Sequence, residues 1–420
     1  MNDITLSKPK KNNLTTYIML AMIAGIIVGY IVHEKTSEDF INSFSSKIKL
    51  LATIFLRLVQ MIIAPLVFAT LVTGIASLGD MKTVGRVGGK AMLWFISASL
   101  ISLTLGLILV NIIKPGVGVD IANTDINAAK DLMGQSSEFS LAKFVEHIVP
   151  RSIIEAMANN SILQIVVFAV FFGTALTSVG KKAEPILHAL ESLVSIILRM
   201  VDYVMKLAPF GVFGAMAGII AANGLKVLKI YAWYIGSFYF GLIVLWGVLL
   251  FVGYLILRKR LPDLLKRIYS PMVVAFNTTS SEAVFPKLVE ELEGFGCSNK
   301  IVSFVLPLGY SFNLDGSMMY MTFASMFIAQ AYNITSVTGS IGTQISMLLV
   351  FMLTSKGVAG VPRASLVVVL ATCGMFGISP EYIGLVLAVD AFCDMGRTMT
   401  NVLGNALATA AVSKWERALQ

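Results

Sequence analysis

Charge is scarce in this sequence. Of 420 residues, 13% are Asp, Glu, Lys or Arg, against roughly 25% in soluble domains. Hydrophobic residues make up 56% and the mean hydropathy is +0.81. A chain this poor in charge is not a soluble globular protein; it reads as a polytopic membrane protein. Cysteine is also rare. Cys297, Cys373 and Cys393 are odd in number and lack metal-ligand spacing, which excludes a disulfide framework and a cysteine metal site. The three histidines, His33, His147 and His188, lie near span ends or in loops and form no proton relay. Acidic residues are outnumbered 24 to 32, giving a net charge of +8. The basic excess sits in short segments between apolar runs, a topology signal rather than a nucleic-acid footprint.

What the chain has instead is long apolar runs, at about 15–32, 48–78, 88–113, 161–180, 193–222 and 231–257. A spanning helix needs about 20 such residues. Lys8, Lys10 and Lys11 precede the first run and no small-residue cleavage site follows it, so it reads as a retained span.

After Arg258 the pattern changes. Residues 263–293 are two short apolar pieces around NTTSSEA, and 343–376 are two more around SKGVAGVPRAS. Pieces of roughly 10–12 residues cannot cross a bilayer core at 1.5 Å per residue. Two short helices joined by a polar tip read as a re-entrant hairpin, with its irregular backbone buried in protein or lining a wet cavity. A full-length helix interrupted by polar groups follows each hairpin, at 299–332 and 382–413. Hairpin then broken helix, twice, is the signature of an inverted repeat. Lys82, Arg86, Lys90, Lys181, Lys182, the 258–267 cluster, Lys414 and Arg417 then fall on one side. The positive-inside rule is met by eight spans and two hairpins, with both termini cytoplasmic. The fold class predicted is an all-α polytopic membrane protein of eight transmembrane helices plus two re-entrant hairpins.

Charged groups inside a span cost roughly 2.5–3.5 kcal/mol each and mark sites or pathways. On the last helix Asp390, Asp394, Arg397, Asn401 and Asn405 share one stripe. A bland reading is an Asp394–Arg397 pair that glues helices, but glue needs one pair and here a whole face is polar. The 299–332 helix offers Asn313 and Asp315 beside Gly309 and Gly316, where unwinding would expose carbonyls to a small cation; a simple glycine kink is the alternative. The first tip, Thr278–Ser281, supplies N–H groups at a half-helix N-terminus suited to an anion. Arg397 can grip a carboxylate bidentately and Asp394 can pair with an ammonium. A small molecule with an amine and two carboxylates fits that set. Its accumulation against an inside-negative potential requires co-transported cations.

The motifs NTTSSEAVFPK, GYSFNLDGS, SKGVAGVP and DMGRTMTNVLGNALA, with MIIAPLVFATLVTGIASLGD at 61–80, resemble the dicarboxylate/amino acid:cation symporters, the glutamate transporter family. The likeness covers nearly the whole chain and is nearest to the bacterial proton/sodium-glutamate symporters. It implies a homotrimer with no enzymatic activity, no cofactor and no nucleic-acid partner, in contact with lipid in the inner membrane. A trimerisation scaffold would hold 1–82 and 116–229. An elevator-type transport domain would hold 83–115 and 230–420.

Carried over, the resemblance implies that Asp394 binds a substrate amine and Arg397 its side-chain carboxylate. Ser280, Ser281, Thr398 and Asn401 would hold the amine and α-carboxylate, and Ser317, Val361 and Ser365 would support the side-chain carboxylate. The cation positions would be Ser99, Gly309, Ser311, Asn313, Asp315, Ser355, Val358, Asn401 and Asn405. Members for C4-dicarboxylates lack the aspartate matching Asp394, so its presence predicts uptake of glutamate or aspartate, with a C4-dicarboxylate symporter as the alternative. Sodium is the only metal implied. Sodium-coupled relatives have an aspartate where this chain has Asn405, and Tyr and Thr at Phe95 and Ala98. Losing oxygens and a charge weakens hard-cation sites, so protons are preferred over sodium. Met321 stands where some relatives carry a proton-bearing glutamate, leaving Asp315, Asp390, Asp394 and Glu282 as candidate carriers. An intramembrane aspartyl protease using Asp315 and Asp394 is disfavoured, because Arg397 would keep Asp394 ionised.

Overall fold

The computed structural model describes residues 14–78, 81–119, 149–224, 231–355, 364–387 and 389–419. Three long helices open the described chain: α1 (Leu14–Lys35), α2 (Glu38–Leu78) and α3 (Met81–Ile113). There follow α4 (Ile153–Ala158), α5 (Ile162–Val179), α6 (Glu184–Met205), α7 (Ala208–Asn223) and α8 (Ala232–Leu257). Next come α9 (Leu261–Thr278), α10 (Phe285–Gly294), α11 (Asn299–Phe312) and α12 (Asp315–Ala331). The chain closes with α13 (Thr335–Thr338), α14 (Ile341–Thr354), α15 (Ala364–Met375), α16 (Gly384–Leu387) and α17 (Asp390–Trp415). Among the described residues, five helical stretches are long and apolar enough to cross a membrane, and three shorter apolar helices accompany them. The protein is a nearly all-helical, multi-pass membrane protein.

Local sequence explains where the helices depart from the apolar runs. Helix α2 starts ahead of the run at 48 because Glu38 and Asp39 occupy its first turn, where negative charge is favoured by the helix dipole. The run 193–222 divides between α6 and α7, with Pro209 in the first turn of α7, a position where its missing N–H costs nothing. The break in 299–332 falls at Asn313–Leu314, within the Gly309–Gly316 stretch expected to unwind.

Small residues set the packing of the first half. Helix α7 lies between α1 and α2. A Cβ at Gly29 would come within 2.7 Å of the Ala217 carbonyl, and one at Gly214 within 2.6 Å of the Ile48 carbonyl. Without a hydrophobic drive between helices in lipid, such close approach and the dispersion it gives hold the elements together. In the second half, α12 packs against α3 and α17, and every residue from Asp315 to Ala331 is buried. Outward faces are apolar, as with Ile27, Leu93, Ile243 and Phe251, the composition lipid contact requires.

The C-terminal turn is tied back onto this helical body. Glu416 receives Arg86 Nη2 at 2.9 Å and Lys90 Nζ at 2.6 Å, while the Ser298 N–H donates to the Ala418 carbonyl at 3.1 Å. The Arg86 hydrogen bond, joined by Lys90, holds the Glu416 carboxyl below the usual glutamate range. An acid lowered in this way stabilises the turn above the ordinary value of about 4.3 and loses that effect as pH falls through the lowered one. E416Q should therefore speed hydrogen exchange of the Ser298 amide at neutral pH, and the native protein should show the same loss only in acid. Unchanged protection in E416Q would contradict this role.

Candidate functional site

The polar stripe of α17 is buried against α11 and α12, at the break between them. Arg397 is its centre, with 4% of its side chain exposed. Arg397 Nε donates to Asp394 Oδ1 at 2.8 Å and Nη1 donates to Asp390 Oδ1 at 3.2 Å. Tyr320 of α12 donates its hydroxyl to the same Asp390 oxygen at 2.7 Å and places its ring face 4.4 Å from the guanidinium carbon. Thr398 Oγ1 donates to Asp394 Oδ1 at 2.8 Å. Every contact favours one orientation of the guanidinium: two acceptors on its edge and a π face beneath it.

One turn along, Asn401 docks the start of α12. Its Oδ1 accepts from the Gly316 N–H at 2.9 Å and the Ser317 N–H at 3.3 Å, and its Nδ2 donates to Ser317 Oγ at 3.1 Å. A helix N-terminus leaves its first N–H groups without intrahelical partners, and here an amide on a neighbouring helix meets two of them. One turn further, Asn313 Nδ2 lies between Asp315 Oδ2 at 3.2 Å and Asn405 Oδ1 at 3.3 Å. Among the described residues, buried Asn313 Oδ1, Asn405 Nδ2 and Ser311 Oγ have no hydrogen-bond partner.

Glycines make this proximity possible. A Cβ at Gly316 would run into the backbone of Arg397, one at Gly309 into Asn405 Oδ1, and one at Gly404 into Asp315 Oδ2. They serve close approach of helices rather than unwinding. Phe95 Cζ stands 3.6 Å from where a Cβ at Gly309 would lie, so an aromatic ring abuts this cluster on the α3 side.

The structure thus brings together Ser317, Asp394, Arg397, Thr398 and Asn401, and beside them Gly309, Ser311, Asn313, Asp315 and Asn405. The first tip turns at Thr279, whose φ of 52° is the left-handed region, unusual for a β-branched residue. Ser280 Oγ there accepts from the Ala283 N–H at 3.2 Å, and the Ser281 carbonyl accepts from Tyr310 at 3.0 Å. Ser99, Ser355 and Ser365 are buried, the last two flanking 356–363. Val358 and Val361 lie outside the described residues. Sequence reading gave Tyr320 no role. Its signal was a tyrosine set between Met319 and Met321 in a fully buried helix, an aromatic whose hydroxyl must find a buried partner.

The model of the Sodium:dicarboxylate symporter family matches residues 14–415. A C4-dicarboxylate transport protein of Rhodospirillum rubrum is 41% identical over 411 residues, covering 96% of this chain and 88% of that one. Proteins of the same name from Rhizobium johnstonii and Stenotrophomonas maltophilia are each 40% identical and cover 98% of this chain, and 91% and 90% of their own. These relatives overturn the expected glutamate or aspartate substrate. The reading had rested on Asp394 as an amine partner. In the structure that carboxylate is instead engaged by Arg397 and Thr398, so its presence alone does not imply an ammonium on the substrate.

Two variants test the geometry. Y320F leaves Asp390 short of a donor and should lower stability by about 1–3 kcal/mol, read as a thermal shift in detergent. G316A should be far more disruptive than G89A, since among the described residues nothing lies within 4 Å of a Cβ at Gly89; equal stability of the two would contradict the packing described. The buried arginine cage, the match over nearly the entire chain and the relatives' identity agree: the protein belongs to the sodium:dicarboxylate symporter family.

Proposed function

We propose that this protein is a secondary active symporter that takes up C4-dicarboxylates, such as succinate, fumarate or malate, together with protons. The observation that carries the reading is the buried, pre-oriented Arg397, in a chain about 40% identical to proteins named for C4-dicarboxylate transport. Arg397 takes one substrate carboxylate in fork geometry, with Asp390 and Asp394 fixing the plane of the guanidinium. The second carboxylate lies toward Ser317, Asn401 and the tips at Ser280–Ser281 and Ser365, where hydroxyl and N–H donors are available. Thr398 steadies Asp394.

Coupling follows from charge. Moving one charge against 100 mV costs about 2.3 kcal/mol, so a dianion alone is expelled from an inside-negative compartment. Two cations cancel its charge and a third makes uptake driven by the potential. The cluster of Gly309, Ser311, Asn313, Asp315 and Asn405 offers one carboxylate and is bridged by an amide N–H. With one formal charge and a neutral amide at Asn405, the cluster would hold a hard cation less firmly than a site with two carboxylates, which favours protons over sodium.

The architecture proposed with it has α9–α10 and α14–α15 as re-entrant hairpins gating opposite faces, on eight spans of the plasma membrane with both termini cytoplasmic. Residues 83–115 and 230–420 move as a transport domain against a trimeric scaffold of 1–82 and 116–229. Packing of α3, α8, α12 and α17 on one another, and of α1 and α2 on α7, supports that division.

Uptake by purified protein in liposomes tests the function. An inward proton gradient without sodium should drive succinate accumulation, competed by fumarate and not by aspartate. R397K keeps the charge and loses the fork; its uptake should fall about 100-fold or more, given 3–5 kcal/mol for a broken buried pair. Strict sodium dependence would overturn the choice of ion. Undiminished R397K uptake would overturn the assigned binding mode.

A further inference from the structure

Glu282 begins the short turn Glu282–Val284 that joins α9 to α10. Its side chain lines a cavity of about 10 Å³ with Ile63 and Val67 of α2, Ile162 at the start of α5, Phe285 and Tyr310. That space is at the lower limit for a single water. Phe285 and Tyr310 meet edge to face at 5.2 Å, and the Tyr310 hydroxyl is committed to the Ser281 carbonyl. The wall facing the carboxyl is therefore almost wholly carbon.

Among the described residues no cation answers this carboxyl. Lys287, on the next helix, is engaged by Glu290 at 2.7 Å and Glu291 at 3.4 Å. The turn packs against α2, α9 and α10. The Val59–Leu78 part of α2, the Ser270–Thr278 part of α9 and all of α5 carry no Asp, Glu, Lys, Arg, His, Cys or Tyr. Tyr310 is thus the one other titratable group lining the cavity. The other candidate carriers have polar partners: Asp390 and Asp394 bond Arg397, and Asp315 accepts from Asn313.

Glu282 is half-buried, and where it meets this wall a carboxylate has no countercharge and little water, whereas the neutral acid fits it. The wall is also a boundary, with α2 and α5 on one side and the hairpin turn on the other. We propose that Glu282 carries a co-transported proton and that its protonation lets the turn seat against α2. An O–H bond forms on the carboxylate from water at one membrane face, and that proton returns to water at the other. No electrons change hands. The role rests on the proton-coupled reading above.

Proteoliposomes separate the two. In E282Q, which mimics the neutral acid, succinate-for-succinate exchange should stay within about twofold of the native protein while gradient-driven accumulation falls at least about tenfold. E282D keeps a titratable group and should retain driven uptake with an altered pH profile. Size-exclusion profiles and thermal shifts establish that each variant is folded. Accumulation by E282Q equal to the native protein, or equal loss of exchange and net uptake, would overturn the proposal. A native protein indifferent to the pH gradient would instead overturn proton coupling itself, and this role with it.

Discussion

A guanidinium cannot stand unpaired in a low-dielectric interior, and the site is organised around meeting that requirement for Arg397. Two carboxylates and a tyrosine ring enclose it. Removing one partner from such an assembly costs about 3–5 kcal/mol, because the remaining charge is stranded. The cage draws α12 and α17 together, and the glycines at 316 and 404 allow those helices to approach closely enough for the cage to form. The arginine's need for partners and the helix packing are thus one constraint seen at two scales.

The same constraint accounts for how the site treats a ligand. Asp390, Asp394 and Tyr320 hold the guanidinium in plane, so in the proposed binding mode little conformational freedom would be lost on binding. Asp394 serves as a positioner in this arrangement. Next to the cage, the Asn401 amide oxygen meets two N–H groups at the broken end of α12, and its Nδ2 donates to Ser317 Oγ. Net charge in the site is set by Asp315, Asp390 and Asp394 against Arg397, so under the proposed function their protonation would matter for an anionic cargo.

Much of this was legible in the sequence. The spacing of Asp390, Asp394, Arg397, Asn401 and Asn405 placed them on one face because helical period fixes faces without tertiary information. The break near Asn313 was legible from polar residues and glycines in an apolar run, though the role of the glycines was not: glycine signals freedom or proximity, and only the structure distinguishes them. Tyr320 was not legible, since one tyrosine between methionines looks like core until its hydroxyl finds Asp390. The substrate was misread for a related reason. Residue types announce that a carboxylate is present, not whether it is already occupied, and Asp394 is occupied by Arg397 and Thr398.

The central claim is that Arg397 recognises a dicarboxylate whose passage is tied to proton movement. Its most direct test is lumenal pH, followed with a trapped indicator in sodium-free proteoliposomes as succinate is added outside. The account requires lumenal acidification that saturates with succinate. No pH change, or one appearing only when sodium is supplied, would contradict it.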